Sequence, residues 1–237
     1  MTPGGADGLG RLDPGASAPI APLGATIVLQ LWGSLPGLLG ANLVFLAWCV
    51  PYGLLALLGL PALALAVAPL TVGPGLIALV TAAARLARGE PLGAWSAGLR
   101  DARAGFRTGA VFATALLLGW HAQLAALRLV VDPHGATGAV VMWAAQVAVL
   151  VLGALVGVHA LALVGLHGQG ALEATRNAFV VAVRHPGPTV AMLGLVGAAG
   201  SLTWMLGGAP LVILPAALAL ALVSTTQHLV DGGGPVS

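Results

Sequence analysis

Apolar runs of about 20 residues recur along this chain from Pro36 to Leu229, each bounded by glycine and proline clusters or by one of its few charges. A run of that length crosses the hydrocarbon core as one helix. In lipid the helix is also the only open structure that satisfies every backbone polar group internally. Composition agrees: 59% of residues are hydrophobic and 7% charged, with a mean hydropathy of +1.01, where soluble proteins carry roughly 25% charged residues. A soluble chain of 237 residues so composed would lack polar material to cover its core. The expected class is therefore all-α, a polytopic helical membrane protein.

Six spans follow from the runs, at about residues 36–60, 62–88, 108–130, 138–166, 189–206 and 211–229. They form a single membrane domain over 23–230. Residues 1–22, rich in Gly, Pro and Ala without apolar period, read as a disordered tail, and 231–237 as a short C-terminal tail. Pro51 should kink the first span, and Pro69 and Pro74 should bend the second. An alternative cuts residues 24–88 into three shorter helices, which moves the N-terminus across the membrane. The single cysteine, Cys49, excludes an intrachain disulfide.

Charge fixes the expected orientation. The basic residues are nine arginines and no lysine. Arg11, Arg85, Arg88, Arg100, Arg103, Arg107, Arg176 and Arg184 fall on one side of a six-span arrangement, and only Arg128 falls on the other. Short cytoplasmic loops collect arginine, so both termini are expected in the cytoplasm. The pI near 9.5 reflects a formal charge of only +2, which gives no reason to expect a nucleic-acid partner.

Five of the nine arginines lie in "RLARGEPLGAWSAGLRDARAGFR", residues 85–107. At about 100° per residue, Leu92, Trp95, Leu99, Ala102 and Phe106 share one quarter of a helical wheel. Arg100, Arg103 and Arg107 flank that stripe and Asp101 lies opposite. The pattern predicts an interfacial amphipathic helix over about 91–107, its cations reaching lipid phosphates, with Pro91 suited to its first turn. A second such helix is expected at about 170–184, with Leu172, Phe179 and Val183 on one face and Glu173, Asn177 and Arg184 about a quarter turn away. Two readings compete for these helices: an anchor and topology determinant, or a docking surface for a partner. Trp95, Arg100, Arg103, Phe106, Arg107, Asn177 and Arg184 are the candidate contacts.

Three segments resemble the YesL-like bacterial membrane proteins, a family of unknown function. They are "NLVFL" at 42–46 with "LTVGPG" at 70–75 and "ARLARGE" at 84–90; the aromatic and basic helix with Trp95, Phe106 and Arg107; and "RNAFVVAVRHPGPT" at 176–189. The third is the most specific. The resemblance implies a helical membrane protein without assigned activity that often accompanies carbohydrate ABC-transporter permeases. An accessory role in carbohydrate transport is the function it suggests, with membrane lipids and a permease as partners.

Other classes have less support. A stand-alone channel or carrier lines its path with polar groups at membrane depth, and the inventory is Asn42, His121, Gln123, Gln146 and His159, each as well suited to helix packing. Catalysis needs a base and nucleophile or a metal set within reach, and no HExxH pair, serine elbow, carboxylate dyad or phosphate loop occurs. His159 and His167 lack a third ligand. No enzyme activity, metal or cofactor is expected. "GLVGAAG" at 194–200 offers a small face for close helix packing, within one chain or between copies.

Overall fold

The computed structural model describes residues 35–90, 95–131, 137–206 and 208–232. Among these the chain is helical without a strand: α1 (Leu35–Leu57), α2 (Pro61–Ala87), α3 (Trp95–Ala104), α4 (Phe106–Val131), α5 (Thr137–His167), α6 (Ala171–Arg184), α7 (Pro186–Met205), a 3-10 turn (Ala209–Val212) and α8 (Leu214–Gly232). Four helices are long and apolar enough to cross a membrane, namely α1, α2, α4 over Phe106–Arg128 and α5 over Val140–His167. A fifth appears if α6 and α7, which meet at a bend of 111°, count as one broken span. The expected sixth span, 211–229, falls on the 3-10 turn and α8, which is not among these helices. The expected tail over 1–22 lies outside the described residues, as do Pro91 and Leu92.

Residues 35–87 form two helices. Pro51 sits inside α1, and Pro69 and Pro74 sit inside α2, without ending either helix. The break comes at Leu58–Leu60, where Gly59 takes a φ of +72° that an L side chain adopts only with strain.

α2 is the centre of the molecule, touching α1, α3, α4, α5 and α8. Lipid tails are as apolar as leucine, so packing between spans rests on van der Waals fit, and small residues let backbones approach. A Cβ on Gly73 would lie 2.5 Å from the Gly109 carbonyl carbon, and one on Gly109 would overlap the Gly73 carbonyl. The two backbones are therefore in direct contact. On α5, a Cβ at Gly165 would lie 2.6 Å from the Val80 oxygen. The largest buried cluster joins Leu79, Val80, Ala83 and Ala84 of α2 to Ala160 and Leu163 of α5, Ala174 and Ala178 of α6, and Leu220 and Val223 of α8.

The amphipathic segment departs from expectation in one respect. α3 ends at Ala104, and Phe106 and Arg107 open the spanning helix α4 instead of closing the interfacial one. Gly105 is the joint, pressed so closely on Ile77 of α2 that a Cβ there would overlap the Ile77 side chain.

Gly109→Ala should cost about 1–3 kcal/mol through overpacking, seen as a lower Tm of the detergent-solubilised protein. Gly194→Ala, where a Cβ meets nothing within 4 Å, should change stability by less than about 0.5 kcal/mol.

Candidate functional site

At the arginine-rich end of the bundle Asp101 is turned inward and Glu90 is paired at the surface. Arg85, in the last turn of α2, bonds Asp101 of α3 at 2.8 Å. Arg88 donates to Glu90 at 2.6 Å and, through Nη1, to the Leu166 carbonyl near the end of α5 at 3.3 Å. That Arg88 hydrogen bond holds the Glu90 carboxyl below its ordinary pKa. Arg85 and Arg88 thus join the end of α2 to α3 and to α5.

α3 docks on the bundle by its small side. Ala97 and Ala102 are buried, Gly98 lies against Val44 of α1, and Ala102 packs with Val44 and Ala78. Asp101 shares this side. Leu99 and Phe106 are half-buried, whereas Arg100, Arg103 and Arg107 are exposed. Trp95 opens α3; its side chain lies outside the described residues. α6 repeats the plan: Ala174, Ala178 and Val181 are buried, while Leu172, Phe179 and Val183 are 86%, 59% and 62% exposed. Asn177 is half-buried, and Glu173, Arg176 and Arg184 are exposed. Glu173 in the first turn and Arg184 in the last complement the helix dipole.

A second group of residues lies inside. The buried polar side chains among the described residues are Asn42, His159, Thr189 and Thr226, and all four serve ties between the spanning helices and the C-terminal segments. Asn42 of α1 donates through Nδ2 to the carbonyls of Leu211 and Val212 at 2.6 and 2.7 Å. The 3-10 turn would otherwise leave these acceptors short of partners. His159 of α5 meets Thr226 of α8 at Nδ1 and Thr189 of α7 at Nε2, both at 2.9 Å.

The hydroxyl protons fix the tautomer. Thr189 gives its proton to the His185 carbonyl at 2.7 Å, so its oxygen accepts from Nε2–H. Nδ1 is then the bare nitrogen and accepts from the Thr226 hydroxyl. His159 is therefore a neutral, fully partnered imidazole, while His167 stands exposed in the last turn of α5. The two histidines are not brought to one site.

The remaining polar residues sit on the α4–α5 hairpin. A Cβ on Gly119 of α4 would lie 2.5 Å from Leu150 Cδ2 of α5. The Oε1 atoms of Gln123 on α4 and Gln146 on α5 are both buried without a partner. His121 Nδ1 is likewise buried and unpartnered. Sequence reasoning passed over Asp101, Thr189 and Thr226. Thr189 had a local cue, since it follows the proline pair that starts α7, but its partner lies 30 residues away.

Thr226→Val removes the only donor to His159 Nδ1 and should cost about 1–3 kcal/mol as an unsatisfied buried acceptor. Chemical denaturation in detergent of the single variants and of His159→Leu/Thr226→Val should show strong non-additivity. A comparison with protein-family models, curated proteins and solved structures finds no match to this chain, so its own residues carry the functional reading.

Proposed function

We propose that this chain is a non-catalytic integral protein of the bacterial plasma membrane that acts as an accessory component of a carbohydrate ABC-transport system. The observation that carries the reading is the division of polar groups. Asn42, His159, Thr189 and Thr226 are spent on tying helices together. Arg100 and Arg103 of α3, Arg107 at the start of α4, and Arg176 and Arg184 of α6 are exposed, with no ion pair among the described residues. A chain that moved substrate by itself would keep such groups for the path; a docking protein presents them at its surface. The resemblance of 176–189 to the YesL-like proteins supports the transporter context, with the exposed face of α6, including Asn177 and Arg184, offered to a permease. Co-purification with a carbohydrate ABC permease of the same cell should recover a complex, and deletion should reduce sugar uptake. Absence of a complex, or sugar uptake unchanged by the deletion, would end the proposal.

The same reading extends to topology. Asn42 and Val44 are about 3 Å apart along α1. Asn42 holds the Leu211 and Val212 carbonyls, while Val44 packs on Gly98 of α3. A crossing fifth span would instead carry that turn about 30 Å from α3. The contacts favour four spans, α1, α2, α4 and α5, capped at the arginine end by α6–α8, with both termini cytoplasmic. In a Cys49→Ala background, Leu211→Cys and Arg103→Cys should react with an impermeant maleimide from the same side. Labelling from opposite sides would restore six spans.

A stand-alone small-solute channel or carrier is the second reading, favoured by one atom. Asn42 Oδ1 is buried without a partner beside a helix break, the kind of place where transporters bind solute. Solute flux into liposomes containing the purified chain alone would favour it.

A further inference from the structure

We infer that Arg100, Arg103 and Arg107 form a docking face for the phosphate groups of anionic phospholipids. The depth of this face is set by chain continuity. α4 is apolar enough to cross a membrane from Phe106 onward, so Arg107, its second residue, stands at the membrane boundary. α3 precedes it across the single joint residue Gly105 and is held beside it by Ile77, Val44 and Ala78. Arg100 and Arg103 therefore share the headgroup layer with Arg107.

The charge of the face follows from where the acids go. Asp101, the only acid within α3, is turned inward onto Arg85, and Glu90 is bonded to Arg88. Among the described residues no carboxylate pairs with Arg100, Arg103 or Arg107, and all three are exposed. Among the described residues of α3 and of the first turn of α4 the one carboxylate is Asp101, bonded to Arg85, while exposed Glu90 is neutralised by Arg88. α3 cannot roll to hide its arginines, because its opposite side is fixed by Ala97, Gly98, Asp101 and Ala102. Guanidinium forks match phosphate oxygens in pairs, and half-buried Leu99 and Phe106 give the same surface an apolar flank for acyl chains. A protein partner would have to enter the headgroup layer to reach these side chains, whereas lipid phosphate is already there. The inference rests on the membrane placement and not on the transport role, so absence of a permease complex leaves it standing.

The test uses the full-length protein in mild detergent with equimolar phosphatidylglycerol and phosphatidylcholine, retained lipid being read by native mass spectrometry. Wild type should retain phosphatidylglycerol preferentially, and 1 M salt should abolish the preference. R100Q/R103Q/R107Q should lower the selectivity by on the order of 100-fold. R128Q, which removes an exposed arginine at the far end of α4, should leave it unchanged, and R100K/R103K/R107K should keep most of it. Equal retention of the two lipids by wild type would overturn the inference even if the triple variant failed to fold. Undiminished selectivity in a folded triple variant, or an equal loss in R128Q, would also overturn it, as would loss of a co-purifying protein without any change in lipid.

Discussion

The backbone contact between Gly73 and Gly109 is the constraint on which the rest of this molecule depends. It draws α4 against α2 at a distance no side chain would allow, and Gly165 lets α5 approach from another side. With α1 paired along its length, α2 becomes the shared wall of the bundle. Its buried face is mostly alanine and glycine, with Ile77, Leu79, Val80 and Leu86 as the larger groups, and small residues of this kind let helix backbones approach closely. Pro74 lies within this region without breaking the helix, as neighbouring helices can re-satisfy the freed backbone groups.

Around that wall, polar chemistry does two separate jobs. Inside, Asn42 and His159 each hold two points of the C-terminal segments, four bonds in all. These fix α7, the 3-10 turn and α8 to helices that precede them by many residues. Outside, α3 and α6 share one plan: alanines dock, bulky apolar residues face sideways or outward, and arginines stand free. A short helix so built adheres to the bundle by its small face and leaves its bulky apolar and basic side chains outward. The ion pairs Arg85–Asp101 and Arg88–Glu90 matter less for their energy, which is modest at such exposure, than for engaging the two acids nearest the outward arginines.

Much of the helix pattern was legible in the chain. Apolar runs located α1, α2, α4 and α5 to within a few residues, because length and bounding charge are local properties. The two amphipathic helices were legible for the same reason. The joint at Gly105 was not, since a wheel continued through Phe106 looks uninterrupted and only Ile77, on another helix, requires the break. Nor was the docked face of α3. Periodicity marked Trp95, Leu99, Ala102 and Phe106 as the apolar side, and of these Ala102 is packed; but the docked side also takes in Ala97, Gly98 and Asp101, where smallness and one part-buried ion pair outweigh hydrophobicity.

The sequence by itself determined that this chain is helical and membrane-bound, and that its positive charge gathers in a few short segments. Those conclusions follow from composition and from periods within single helices. Only the tertiary structure decided which arginines are used internally and which are left outward, that His159 ties α5 to α7 and α8, and that the turn before α8 is bonded to α1 two residues from where α3 packs on it. Each of these depends on groups far apart in the chain meeting at hydrogen-bond distance or with backbones in contact. Such pairings are set by the packing around α2 and leave no local period to read.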